Sequence, residues 1–191
     1  MPCVTAILIF LGALFGVSNT AQAMSFLPNS QTERGREVTE SDKEEYEQLF
    51  ADKVVVKKAE RKLYLIRQDK PFRTYRISLG FRPQGHKQRR GDGRTPEGHY
   101  RLDWRNPGSK FRKALHVSYP NYQDSLRAKQ RGIDPGGMVM VHGQPSGGRN
   151  SVLRQAISTE DWTQGCIAVS DLAIDEIWSH THDGTPIEIL P

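Results

Sequence analysis

The chain has 191 residues, of which 36% are hydrophobic and 26% are charged, and its formal net charge is +5. This size and composition fit one globular domain, or one domain plus a tail. The mean hydropathy of −0.62 argues against an integral membrane protein. The 17 glycines and 11 prolines favour a fold with many turns, as β-rich proteins have. The basic charge is not accompanied by an aromatic–basic array or a helix-turn-helix pattern, so no nucleic-acid partner is expected.

The chain begins with an apolar run, "AILIFLGALFGV" at residues 6–17, followed by the small-x-small sequence Ala21-Gln22-Ala23. The run is shorter than the roughly 20 apolar residues that span a bilayer. The pattern predicts a signal peptide at residues 1–23 and export to the periplasm or cell envelope. An uncleaved anchor is the alternative, because "MPCVT" contains no Lys or Arg. Cleavage would remove Cys3 and leave Cys166 as the single cysteine.

Residues 24–51 are predicted to be a linker followed by a short helix, whose capping box is Ser41 with Glu44. Residues 52–191 then alternate between short β patterns and turn residues. The predicted strands lie at residues 53–58, 61–67, 74–80, 98–104, 113–120, 137–143 and 185–190. The first two are expected to form a hairpin, and "CIAVS" predicts either a strand or a strand-to-helix corner.

Helical patterns are few. Residues 121–132 predict a short helix or a loop, and residues 152–157 a helical turn. Residues 170–182 predict a helix that Ser170 caps. Its buried face is expected to hold Leu172, Ile174, Ile177 and Trp178. The predicted fold class is mainly β, a sandwich-like or barrel-like domain with a few short helices packed outside.

One cysteine and one histidine stand out as candidates for chemistry. A thiol reacts as its thiolate, so Cys166 needs a base or a positive environment. His142 ends the apolar strand "MVMV", and residues at strand ends commonly reach a functional loop. Each residue also has a structural interpretation: Cys166 can be a buried core residue, and His142 a hydrogen-bonded structural histidine.

The residues around Cys166 suit acyl transfer. Gly165 has no side chain, so a carbonyl can approach the sulfur, and the N–H groups of Gly165 and Cys166 can stabilise an oxyanion. The hydroxyl of Thr163 can orient a substrate carbonyl or a neighbouring peptide. His180 and His182 have a spacing that suits a metal, but no third ligand is evident. No metal site and no cofactor are expected.

Four sequence blocks resemble one known family. They are "ISLGFRPQGHKQRRGDGRTPEGHY" at residues 77–100, "NPGSKFRKALHVSYPN" at 106–121, "PGGMVMVHG" at 135–143 and "DWTQGCIAVSDLAIDEIW" at 161–178. In this order they resemble the L,D-transpeptidase catalytic domain of the YkuD type, most closely the exported murein branch with the motif DWTxGCIAV. The resemblance covers residues 52–191.

The resemblance implies a cleft with a Cys-His pair that performs acyl transfer on peptidoglycan stem peptides. It implies that Cys166 is the nucleophile, His142 the general base and Gly165 the oxyanion-side glycine, and that Gly143 shapes the cleft floor. Ala168 stands where many members have an arginine. The group that orients His142 stays open between a backbone carbonyl, Asp161 and Asp134.

The implied reaction passes through a thioester, formed when the meso-diaminopimelate carbonyl of a tetrapeptide stem is attacked and D-alanine leaves. An amine of a second stem, or of a wall-linked lipoprotein, then resolves the thioester. If water resolves it, the protein is a carboxypeptidase or an amidase. A non-catalytic wall-binding protein is the third interpretation. A monomer is expected.

Overall fold

The computed structural model describes residues 39–40, 49–146 and 160–191. The predicted signal peptide, the Ser41–Glu44 capping box and the predicted helical turn at residues 152–157 lie outside these residues. Within them, eight strands form one sheet with the order β3-β2-β1-β8-β4-β5-β6-β7. The strands are β1 Lys53–Lys57, β2 Lys62–Arg67, β3 Lys70–Arg76, β4 Gly98–Ser109, β5 Arg112–Val117, β6 Met140–His142, β7 Ile167–Ala168 and β8 Thr185–Leu190.

The C-terminal strand β8 lies in the middle of the sheet, where it runs parallel to β1 and antiparallel to β4. β5 pairs antiparallel with both β4 and β6, and β6 pairs parallel with β7. After β3, at one edge of the sheet, Ser78 bridges to Ala168 in β7 at the opposite edge. The two edges are thereby joined, which confirms the predicted barrel-like, mainly β fold.

The predicted hairpin of β1 and β2 is confirmed, but the next strand was misplaced. β3 begins at Lys70, four residues before the predicted start of that strand at Thr74, and it ends at Arg76. The turn before it consists of Gln68 and Asp69, which both have positive φ angles, of 48° and 58°. Two such residues make the tight turn that suits a hairpin. Neither residue is a glycine, so the turn was not evident from the sequence.

Two helices are described, α1 Tyr122–Gln130 and α2 Asp171–Ser179. Asn121 and Asp124 form a capping box that starts α1. The side chain of Ser170 caps α2 by accepting from the N–H of Ala173, as predicted. None of the helices in the described ranges is long and apolar enough to cross a membrane.

The predicted buried face of α2 is wrong at Leu172, whose surface is 78% exposed. Residues two positions apart are separated by about 200° around a helix, so Leu172 and Ile174 cannot both face the core. Ala173 takes that place beside Ile174 and Ile177. These three side chains cover the core of the sheet, whose largest fully buried members include Leu63, Leu65, Leu79, Leu102, Leu115, Ile167, Ile187 and Ile189.

Candidate functional site

The candidate site lies where β6 ends and β7 begins. The parallel pairing sets Val141 opposite Ile167 and His142 opposite Ala168. Cys166 directly precedes β7, so it lies beside β6, two residues before the position that is opposite His142. Both side chains line one cavity of about 510 Å³, together with Trp104, Asn106, Ser109, Phe111, Ala114, Met138, Met140, Trp162, Thr163 and Gln164.

The thiol of Cys166 is partly buried at the wall of this cavity. Its Sγ atom lies 3.7 Å from the carbonyl oxygen of Met138, to which the thiol donates. Burial raises the pKa of the Cys166 thiol, while the N–H of Met140 and the positive charge of Lys87 act in the opposite direction. The net effect favours the protonated thiol at rest, so a base is needed to activate it.

His142 is held in one orientation by a neighbouring backbone carbonyl. Its Nδ1 lies 2.7 Å from the carbonyl oxygen of Gly143. Since a carbonyl oxygen only accepts, Nδ1 carries the proton and Nε2 is the unprotonated acceptor. Burial lowers the pKa of His142, and the bond to Gly143 only partly offsets this. The imidazole is therefore neutral at physiological pH, with a base available at Nε2.

Two aromatic rings restrict the movement of the imidazole. The ring of Phe111 lies 4.4 Å from that of His142, and the ring of Trp162 lies 5.8 Å away at an interplanar angle of 68°. Both rings also line the cavity. The imidazole is thus fixed on its Nδ1 side by a hydrogen bond and over its faces and edges by apolar surface.

Gly143 provides the group that orients His142, and the structure answers the question left open by the sequence. Asp161 bonds to Arg61 instead, and Asp134 to Arg90. The N–H of Gly143 donates to the carbonyl of Phe111 at 3.0 Å. A Cβ on Gly143 would lie 2.9 Å from that oxygen. Gly143 is therefore packed tightly within the protein, and its absent side chain permits a close backbone approach.

Thr163 holds the turn before the cysteine by two hydrogen bonds. Its hydroxyl donates to the carbonyl of Cys166 at 2.7 Å and accepts from the N–H of Gly165 at 3.1 Å. The sequence suggested that this hydroxyl orients either a substrate carbonyl or a neighbouring peptide. In the structure it bonds to neighbouring peptide groups. The Gly165 N–H is occupied by this bond, which corrects the expectation that it points at an oxyanion. Of the two N–H groups that the sequence suggested, only that of Cys166 remains a candidate.

Gly165 occupies a position that a side chain would not fit. Its φ is +132°, and a Cβ would lie 2.6 Å from the carbonyl oxygen of Arg94. The sharp turn expected at this glycine is thus present. The chain turns here against Arg94 and Lys87, so the basic segment "HKQRRGDGR" at residues 86–94 lies directly behind the cysteine.

His116, His180 and His182 do not line the cavity at Cys166. The ring of His116 stacks on Trp104 at 4.8 Å, and its Nδ1 lies 2.6 Å from Asp103. His180 contacts the carbonyl of Leu49, and His182 packs on Phe50. Across residues 49–146 and 160–191, no three histidine, cysteine or acidic side chains are grouped as metal ligands.

Some residues of the site were not found by sequence reasoning. The segment "HKQRRGDGR" has the composition of a solvated loop or of a surface for an anionic partner, yet Lys87 and Asp92 are buried. The apolar wall formed by Trp104, Phe111 and Met138 was also missed. The available signal was Asp92 between the two glycines Gly91 and Gly93, because a charge within a tight turn can be paired inside it.

Comparison with known proteins identifies the family. The family model "L,D-transpeptidase catalytic domain" (YkuD) matches residues 51–189. The chain is 32% identical to YafK of Escherichia coli (strain K12) over 97 residues, which are 49% of this chain and 30% of YafK. The chain therefore spans under a third of that relative's length.

Solved structures share the fold. The helical cell shape determining protein Pgp2 from Campylobacter jejuni is 23% identical, with a TM-score of 0.53, over 77% of this chain and 54% of Pgp2. Bd1075 of Bdellovibrio bacteriovorus is 21% identical, with a TM-score of 0.50, over 75% of this chain and 49% of Bd1075. At these identities the likeness shows a common fold. Since the family model covers most of the described chain, the protein belongs to the YkuD family of L,D-transpeptidase catalytic domains.

Proposed function

We propose that this protein is a peptidoglycan L,D-transpeptidase in which Cys166 is the nucleophile and His142 the general base. The observation that carries this proposal is the fixed tautomer of His142, which leaves Nε2 unprotonated on the strand beside Cys166. Family membership supports the reaction class. The substrate class, stem peptides of peptidoglycan, follows from the family resemblance.

The first half of the reaction forms a thioester. Nε2 of His142 takes the proton from Cys166 as the sulfur attacks the carbonyl of the third stem residue, meso-diaminopimelate. The negative charge that develops on the carbonyl oxygen is stabilised by the N–H of Cys166. The carbon–nitrogen bond then breaks, and His142 returns its proton to the amine of the leaving D-alanine.

The second half transfers the acyl group. An amine of another stem, or of a wall-linked lipoprotein, attacks the thioester carbonyl and gives its proton to His142. The carbon–sulfur bond breaks, and the thiol of Cys166 is restored. The thioester retains the energy of the cleaved amide, so no nucleotide is needed outside the cytoplasm. Such a reaction would contribute to cell-wall organisation and cell shape.

We also propose that the protein acts outside the cytoplasm, after removal of residues 1–23 as a signal peptide, with residues 52–191 as the catalytic domain and residues 24–51 as its linker. The apolar run at residues 6–17 and the sequence Ala21-Gln22-Ala23 support export. The substrate class supports it too, because cross-linked peptidoglycan lies outside the cytoplasmic membrane. A monomer suffices for this chemistry, since Cys166 and His142 lie on one chain.

The test is to incubate purified protein with disaccharide-tetrapeptide and to identify the products by mass spectrometry. Cross-linked dimers are the expected result. Tripeptide alone would mean that water resolves the thioester and would favour the carboxypeptidase or amidase. Cys166→Ala should abolish all products, whereas Leu172→Ala, an exposed change on α2, should leave them unaltered. Full product formation by Cys166→Ala would refute Cys166 as the nucleophile, and a wild-type protein that forms no product at all would favour the wall-binding interpretation.

A further inference from the structure

Lys87 is a buried cation directly behind the loop that carries the cysteine. Its side chain is 4% exposed. Its Nζ donates to Asp92 Oδ1 at 2.9 Å and to the carbonyl of Arg89 at 3.1 Å. The same nitrogen lies 3.8 Å from the point where a Cβ would stand on Gly165. A full positive charge therefore lies next to the Gly165–Cys166 peptide, away from bulk water.

Asp92 keeps this charge in place. Although burial by itself raises the pKa of Asp92, the N–H groups of Gln88 and Arg89 and the ammonium of Lys87 lower it to about 2. Asp92 is thus ionised at every physiological pH and forms a buried ion pair with the Lys87 ammonium at 2.9 Å. It also accepts from the N–H of Arg94, whose carbonyl packs against Gly165.

Two cavities meet at Cys166, and charged or titratable side chains line both of them. His142 lines the larger one. Lys87 and Arg90 line a second cavity of about 280 Å³ on the other side of the cysteine. Arg90 is exposed and pairs with Asp134 at 2.7 Å, so solvent and its partner weaken its field. Lys87 is the buried cation of this set.

We propose that Lys87 is a positioning residue whose fixed positive charge, held by Asp92, stabilises the thiolate of Cys166 as His142 removes the proton. The inference rests on the proposed role of Cys166 as the nucleophile. Burial makes the thiolate costly to form, and a preorganised charge offsets this without reorganisation during the reaction. The direction of the Lys87 effect on the pKa of Cys166 agrees with this role.

The test measures the pKa of the Cys166 thiol from the pH dependence of its alkylation by iodoacetamide, without any substrate. Lys87→Met removes the cation and leaves Asp92 ionised, so the thiol pKa should rise by about one unit. Alkylation at neutral pH should then slow about tenfold, because only the thiolate reacts. Asp92→Asn leaves the cation without its counter-charge and should lower the thiol pKa.

A structural role alone predicts a different result, since both variants would merely loosen the segment at residues 86–94. A shift of the same sign in both variants, or no shift in Lys87→Met, overturns the proposal. If Lys87→Met does not fold, Asp92→Asn decides: a lowered pKa supports the proposal, and an unchanged or raised one overturns it.

Lys58→Met is the matched control. Lys58 is also buried and pairs with Glu97 at 2.7 Å, but it lines neither cavity at Cys166. The Lys58→Met variant should have a lower melting temperature and an unchanged thiol pKa. A shift of the thiol pKa as large as that in Lys87→Met would overturn the inference. Because alkylation needs no substrate, these outcomes are separate from the fate of the proposed function, which the product assay with Cys166→Ala decides.

Discussion

The Nδ1 atom of His142 donates a hydrogen bond of 2.7 Å to the carbonyl oxygen of Gly143, the next residue in the chain. The orienting group is therefore neutral, unlike the carboxylate that orients histidine in many hydrolytic triads. A carboxylate would raise the pKa of the imidazole, whereas burial here lowers it. The base is thus kept in its neutral, proton-accepting form down to mildly acidic pH.

This relationship predicts the pH dependence of thiol acylation. The rate at which a carbapenem acylates Cys166 should fall on the acid side with an apparent pKa below 6.5, the ordinary value for histidine. The reason is that only neutral His142 accepts the thiol proton. Intact-protein mass spectrometry between about pH 5 and pH 8 would measure the rate. An acid limb above 6.5 would contradict a buried, carbonyl-oriented base.

The same lowered pKa predicts a loss of stability in acid. The folded protein binds a proton at His142 less readily than the unfolded chain does, since its folded pKa lies below the unfolded value. The contribution of His142 is therefore complete above about pH 6.5 and is lost as the pH falls from there through the folded pKa. Urea unfolding at several pH values would measure it, with His142→Gln as the control. Equal acid sensitivity in that variant would contradict the assignment.

Thr163→Val tests the two hydrogen bonds that the Thr163 hydroxyl makes next to Cys166. Valine keeps the shape but leaves the carbonyl of Cys166 and the N–H of Gly165 without the hydroxyl to which both bond. Leaving buried polar groups unpaired costs about 1–3 kcal/mol, so the free energy of unfolding should fall by that amount. Carbapenem acylation should slow as well, because the loop loses its fixed geometry. Thr163→Ser retains the hydroxyl and should keep most of the stability and most of the acylation rate. Equal losses in the serine and valine variants would contradict a role for the hydroxyl bonds.

Gly165→Ala tests the close approach behind Cys166. A methyl group would lie 2.6 Å from the carbonyl of Arg94, and the φ of +132° is unfavourable for alanine. Gly132→Ala is the matched control, since Gly132 also has a positive φ, of +65°, but nothing within 4 Å of its Cβ position. The control should cost about 1–2 kcal/mol from the backbone conformation alone. Gly165→Ala should lower the free energy of unfolding by more than the control does, and it should also slow acylation. Equal losses of stability in the two variants, measured by chemical unfolding, would contradict a close contact with Arg94.

The sequence was a good guide to the fold where strand patterns were strong. β1 is a run of β-branched residues and β2 alternates over its first four residues, and their hairpin was predicted correctly. β3 was misplaced because Gln68 and Asp69 adopt positive φ angles without a glycine to signal them. The pairing of β8 between β1 and β4 joins strands far apart in the chain, and local patterns do not contain that information.

The candidate site was predictable to a similar extent. The motif and the strand end identified Cys166 and His142, which line one cavity, while their catalytic roles stay predictions. The orienting carbonyl of Gly143 is a backbone atom, which a side-chain pattern does not reveal. Lys87 was hidden in a basic run that resembles a solvated loop, because its burial depends on the pairing with Asp92 and on the packing of the loop against Gly165.

Asp161→Asn tests how the segment before Cys166 is anchored. Asp161 accepts from the N–H of Leu79 at 2.9 Å and from Arg61 Nη2 at 2.6 Å, which ties the turn between β1 and β2 to the "DWT" residues. Asparagine removes the negative charge that pairs with Arg61, so the free energy of unfolding should fall by about 1–2 kcal/mol. This figure already allows for solvent screening, because Arg61 is partly exposed.

Asp134→Asn is the matched control for this anchor, since Asp134 also pairs with an arginine but both partners are exposed. It should cost no more than about 0.5 kcal/mol. Because neither carboxylate contacts His142, the acid limb of carbapenem acylation should stay unchanged in both variants, even where Asp161→Asn lowers stability. Urea unfolding measures the first difference and the pH profile the second. A shifted acid limb in either variant would mean that a carboxylate, and not the carbonyl of Gly143, orients the imidazole during the reaction.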